Sequence, residues 1–231
     1  MKAKIEGIKQ ILYVLLPLFV FVILYDVCAT LLTYAVMWIG QNFGILQERG
    51  TARAICITGA LLLTFLCLRK LAKTDGFLKV KKEALKIPVW QYVMVVLGTV
   101  IVSYGMNYLF TVTGFIEKSQ QYQDVAQNQY DVVLGVGLLL YGVVSPFVEE
   151  VIFRGFLYGR MRVYMKKTGA ILLSALLFGV YHGNLVQGIY GFIMGLLFTI
   201  VYEKYKNFYL AVMMHSIANL VGYFIELNGF L

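Results

Sequence analysis

The chain has 231 residues, 60% of them hydrophobic and 14% charged, with a mean hydropathy of +0.77. That balance lies outside the range of soluble domains and points to an integral membrane protein. The formal net charge of +8 is concentrated in loops beside apolar segments with no interleaved aromatic platform, which argues against a nucleic-acid partner.

Apolar blocks fall at about 10–40, 54–72, 89–113, 132–158, 169–184, 186–202 and 208–227, each near the roughly 20 residues that cross a bilayer. The expected fold is an all-α, polytopic transmembrane helix bundle of about seven spans, forming a single integral membrane domain over 1–231. An eighth span would require the first block, which contains Pro17 and Asp26, to divide in two. One long tilted helix is the simpler reading. No small-residue cleavage site follows Lys2, Lys4 and Lys9, so this helix is expected to be retained.

Basic residues orient the spans. Lys2, Lys4 and Lys9 place the N-terminus in the cytoplasm, and the weakly charged 41–53 loop falls outside. Arg69, Lys70, Lys73, Lys79, Lys81, Lys82 and Lys86, against Asp75 and Glu83, fall inside. The polar stretch 114–131 is read as an outer loop, Arg160, Arg162, Lys166 and Lys167 lie inside, 183–187 turns outside, and Glu203, Lys204 and Lys206 lie inside. Cys28, Cys56 and Cys67 lack metal-ligand spacing and read as packing residues. Gly179-x-x-x-Gly183 and Gly191-x-x-x-Gly195 have the spacing that lets membrane helices approach closely. Asp26 is a candidate buried carboxylate, with an interfacial or kink position as the alternative.

The unusual segment is VVSPFVEEVIFRGFLYGR, residues 143–160, because charge inside a span is costly and tends to be functional. Glu150 and Arg154 are four apart and can pair on one helical face. Glu149, rotated by about 100°, is left to face elsewhere. The only two histidines, His182 and His215, also fall in apolar blocks, and Asn219 follows His215 at i+4. With about 1.5 Å of rise per residue, Glu149, His182 and His215 lie roughly 16, 21 and 12 Å from the inner surface, so they can converge.

A carboxylate, two imidazoles and a carboxamide suit hydrolysis by activated water, with donors for a tetrahedral oxyanion. Alternatively, Glu149, His182 and His215 would bind zinc. A structural ion network, a proton-coupled transporter and a non-catalytic membrane scaffold are the competing readings. Ser145 has no Gly-x-Ser-x-Gly elbow, which disfavours it as a nucleophile.

Glu149-Glu150-x-x-x-Arg154, Phe178-x-x-x-His182 and His215-x-x-x-Asn219, in this order, resemble the motifs of the CPBP family. These are the CAAX proteases and bacteriocin-processing enzymes, also called the Abi family. The resemblance covers a core of 131–227 and implies an intramembrane endopeptidase. It implies that Glu149 activates water with help from His182, that His215 and Asn219 form an oxyanion hole, and that Glu150 and Arg154 support the site. The family is described both as metal-dependent and as using a metal-free glutamate mechanism, and the sequence leaves zinc and metal-free chemistry open. Asn219, a poor transition-metal ligand, tilts the reading toward water with an oxyanion hole. Better-known members have eight spans. The implied partners are the lipid bilayer and a peptide, or a prenylated or membrane-anchored protein, reaching the site from the inner side or laterally. The small size resembles bacterial members, linked to peptide maturation and bacteriocin self-immunity, and implies a bacterial plasma membrane.

Overall fold

The computed structural model describes residues 2–43, 49–74, 87–130 and 132–228. Asp75, Lys79, Lys81, Lys82, Glu83, Lys86 and Asp131 of the sequence reading lie outside the described residues, as does the first residue of the expected core. Eight helices and no strands occur among the described residues: α1 (Lys2–Phe43), α2 (Arg49–Thr74), α3 (Val89–Val112), α4 (Gln120–Tyr130), α5 (Leu134–Tyr164), α6 (Lys167–Tyr181), α7 (Leu185–Tyr205) and α8 (Phe208–Asn228). Six of them, all except α4 and α6, are long and apolar enough to cross a membrane. The protein is a polytopic helical membrane bundle.

The first apolar block is one continuous helix containing Pro17. Asp26 on it is exposed and does not line the cavity described below. A dense row of exposed side chains, including Leu12, Phe19, Ile23, Leu31 and Trp38, gives α1 the apolar outer face that lipid solvates. Its inner face supplies Phe21 to a core built with Leu61 and Leu68 of α2 and Phe153 and Phe156 of α5. Arg160, expected as a loop cation, is buried instead: its guanidinium donates to the Tyr13 carbonyl at 2.5 Å and lies over the Tyr13 ring at 4.2 Å. That contact satisfies the charge and pins α1 to α5.

Two elements differ from expectation. The outer loop contains α4, whose N–H at Tyr122 is capped by the Ser119 hydroxyl and whose Tyr122 ring packs with Phe110 and Val186. Meanwhile α6 has 15 residues, about 22 Å at helical rise, short of a hydrocarbon core about 30 Å thick. It stops because Gly183 takes a left-handed φ of +75°, which glycine adopts without a Cβ clash. The turn's backbone groups need partners at that depth. His182 N–H donates to Gly179 O, Gln121 of α4 donates to Gly183 O at 2.9 Å, and Asn184 caps α7 by accepting from Gln187 N.

Helices α6 and α7 pack closely where glycines remove side chains. A Cβ on Gly179 would meet the Gly188 carbonyl oxygen at 2.5 Å, so the small-residue spacing does mark a close approach. At the opposite end, Glu203 accepts from the Tyr158 hydroxyl at 2.7 Å and pairs with Lys206, with Arg162 at 3.9 Å. This ties α5 and α7 together beneath the site.

Candidate active site

Helix α5 carries both carboxylates, and its backbone is locally widened. Leu140–Val144 and Val151–Tyr158 are π-helical, flanking an α-helical Ser145–Glu150. Pro146 has no N–H to donate and its ring crowds the preceding turn. The π turn ending at Val144 absorbs that mismatch, and π segments within α-helices often accompany functional positions. In the second stretch, the Phe153 carbonyl accepts from Ser174 at 3.3 Å.

The adjacent glutamates occupy different environments. Glu150 and Arg154 are both 0% exposed, and Arg154 Nη1 donates to Glu150 Oε1 at 2.5 Å. Arg154 also donates to Gly195 O at 3.2 Å and lies over the rings of Phe178 and Phe198 at 4.7 and 5.3 Å. Neither Glu150 nor Arg154 lines the cavity, so they sit behind the site as a brace. Glu149 does line it. Its Oε1 accepts from the Ser145 hydroxyl one turn earlier. Its Oε2 accepts no hydrogen bond and lies 3.7 Å from His215 Nε2.

His215 joins α8 to both carboxylates. Its Nδ1 is 2.8 Å from Glu150 Oε1. A carboxylate already held by Arg154 can only accept, so Nδ1 donates and Nε2 is turned toward Glu149. Phe198 stacks on the imidazole at 5.2 Å and Phe178 meets it edge-on at 5.4 Å, which fixes the ring plane. His182 stands just past the end of α6 as its C-cap. Its Nδ1–H donates to the Phe178 carbonyl at 2.8 Å, so in that tautomer Nε2 is an acceptor. Asn219 donates one amide hydrogen to Tyr141 O at 3.2 Å, and its second remains for a ligand.

Glu149, His182, His215 and Asn219 all line one cavity of about 340 Å³, together with Ser145 and Arg53. All eight helices contribute to its walls, α2 through its first turns, α5 through Tyr141, Ser145 and Glu149, α7 through its earlier turns and α8 through its middle and later turns. The lining residues of α7, from Val186 to Phe198, lie toward its start and away from the basic residues Lys204 and Lys206 at its other end.

No group of three His, Cys, Asp or Glu side chains among the described residues is close enough to hold a metal ion. The zinc set of Glu149, His182 and His215 is not assembled as a ligand cluster in this arrangement, and no step below passes through a metal.

Sequence spacing missed three features of this site. The Ser145–Glu149 contact has an i,i+4 signal, and the cap of α4 has one in Ser119. The Glu150–His215 bond spans 65 residues and has no local signal.

Residues 132–221 match the family model described as Type II CAAX prenyl endopeptidase Rce1-like. The chain is 29% identical over 175 residues to "UPF0177 protein YxdF" of Lactococcus lactis subsp. lactis (strain IL1403), covering 72% of this chain and 91% of that protein. It is 22% identical over 177 residues to "Putative membrane peptidase YdiL" of Bacillus subtilis (strain 168), covering 76% and 71% respectively. No solved structure matches the chain. The matched segment contains Glu149, Glu150, Arg154, His182, His215 and Asn219, and over it the chain is similar to the type II CAAX prenyl endopeptidase Rce1-like family.

Proposed function

We propose that the protein is an intramembrane endopeptidase in which Glu149 activates water to hydrolyse a peptide bond. The observation that carries this reading is the buried Glu149 Oε2, free of hydrogen bonds and 3.7 Å from His215 Nε2 on the wall of a cavity. A carboxylate in that setting has acceptor capacity directed at a ligand, while Ser145 holds its other oxygen.

In the proposed reaction, water donates one hydrogen to Glu149 and is oriented by His182 Nε2. As it attacks the carbonyl, the proton passes to Glu149 and the C=O bond becomes an oxyanion. His215, its Nδ1 held by Glu150, and the second Asn219 hydrogen form the oxyanion hole. Glu149 then returns its proton to the departing amine as the C–N bond breaks. Glu150 and Arg154 act through His215 as positioning residues.

The substrate is a peptide or membrane-anchored protein presented in the lipid bilayer, in peptide maturation, bacteriocin self-immunity or CAAX-type processing. The working unit is a single membrane domain with its catalytic core at 131–227, in a bacterial plasma membrane with the N-terminus cytoplasmic.

A proteolysis assay in detergent with a candidate peptide tests this assignment. Glu149→Ala and His182→Ala are expected to lose cleavage, whereas cleavage equal to that of the unmodified protein in both variants would refute it. Metal dependence is tested by elemental analysis: a stoichiometric metal lost with activity on chelation, and restored with it, would overturn the metal-free route.

A further inference from the structure

One carboxylate and one guanidinium line the cavity, the buried Glu149 and Arg53 on the second turn of α2. Arg53 is exposed. Among the described residues it has no hydrogen bond or ion pair, unlike Arg154 and Arg160, which are both engaged. No carboxylate among the described residues forms an ion pair with it. An arginine near a helix end often snorkels to the membrane surface. This one also lines the cavity wall, where a guanidinium with no ion pair among the described residues selects a planar anion.

Its level relative to Glu149 follows from two contacts. Thr51 Oγ1 accepts from Val133 N at 3.0 Å, and the Phe65 and Phe147 rings meet at 5.4 Å. Both pairs are 82 residues apart, so α2 and α5 run in parallel with a constant offset. Arg53 is thus level with Gly135, fourteen residues from Glu149, or about 21 Å along the axis. Allowing for side-chain reach, the gap corresponds to roughly three to six residues of extended peptide at about 3.3 Å each.

We propose that Arg53 binds a carboxylate of the substrate peptide about three to six residues from the scissile bond, the peptide entering where α2 and α7 begin and α8 ends. The carboxylate is that of an acidic side chain or of a free C-terminus. This rests on Glu149 marking the scissile bond. Because Lys204 and Lys206 lie at the other end of α7, entry is from the non-cytoplasmic side.

The test uses the full chain in phosphatidylcholine nanodiscs. Glu149→Gln protein, with or without Arg53→Gln, is immobilised and exposed to pools of random hydrophobic peptides containing Glu or Gln, each pool made with a free or an amidated C-terminus. Captured peptides are identified by mass spectrometry. Acidic peptides are expected to be enriched at least tenfold, and the enrichment to vanish with Arg53→Gln and return in part with Arg53→Lys. Survival of enrichment in the amidated Glu pool, or its restriction to the free-acid pools, distinguishes the two carboxylates. Equal captured sets with and without Arg53 overturn the proposal. So does an Arg53 effect that depends on added phosphatidylglycerol and not on peptide charge, which would assign the guanidinium to lipid phosphate. The same pools incubated with the unmodified chain report the spacing from the cleaved bond. Cleavage persisting in Glu149→Gln would refute the catalytic reading while leaving the capture result decisive for Arg53.

Discussion

Glu149 and Glu150 are chemically identical neighbours, and a rotation of about 100° along the helix separates their surroundings. Glu150 is committed to Arg154 and His215, both within 2.8 Å, whereas Glu149 keeps an oxygen for the cavity. Two predictions belong at this scale. Arg154→Met leaves Glu150 buried without its cation and is expected to cost about 3–5 kcal/mol, read as a lower unfolding midpoint in detergent; the double variant with Glu150→Gln should recover part of that loss. Ser145→Ala removes one hydrogen bond to Glu149, for about 1 kcal/mol of stability, and should slow cleavage roughly tenfold without abolishing it, since a 1.4 kcal/mol change in barrier is about tenfold. Complete loss with unchanged folding would instead mark Ser145 as the nucleophile. The i,i+4 relation within each motif was legible because a helix places such residues on one face. The Glu150–His215 bond was not, since no local period encodes contact between α5 and α8.

At the scale of elements, hydropathy located every apolar helix because the bilayer demands long apolar runs. It missed α4, whose mean composition is polar and whose burial rests on a few residues such as Tyr122. It also overextended α6, since the apolar run continues toward the turn at Gly183 where the helix has already ended. The π turns of α5 were invisible, because adding one residue to a turn leaves composition unchanged. The short α6 has a functional consequence, placing His182 at a helix end inside the bundle, where α7 begins. Its packing against α7 is sensitive to one atom. Gly179→Ala should destabilise the protein by about 1–3 kcal/mol and reduce cleavage by displacing His182. Gly98→Ala is the control, because a Cβ there meets nothing within 4 Å; it should be neutral or stabilising by up to about 1 kcal/mol. Thermal unfolding of both variants in one detergent checks the pair.

At the scale of the molecule, the Glu203 charge cluster stands apart from the cavity. The basic ends of α5 and α7 are linked through Glu203, while the cavity is lined by the first turns of α2, the earlier turns of α7 and residues of α4 and α8. If the basic end is cytoplasmic, Lys166→Cys should react with a membrane-impermeant maleimide only after permeabilisation, and Gln120→Cys should react in intact cells. The reverse pattern would invert the topology. The helices' existence and broad order were legible from sequence, but the set of helices that line the cavity required their packing. The most direct test of the central claim, that Glu149-activated water cleaves the peptide, changes one atom of that carboxylate. Glu149→Gln, purified and shown to unfold at the same temperature as the unmodified protein, should cleave a reconstituted peptide substrate at least about 100-fold more slowly. Cleavage at an undiminished rate by the folded Glu149→Gln protein would contradict the account.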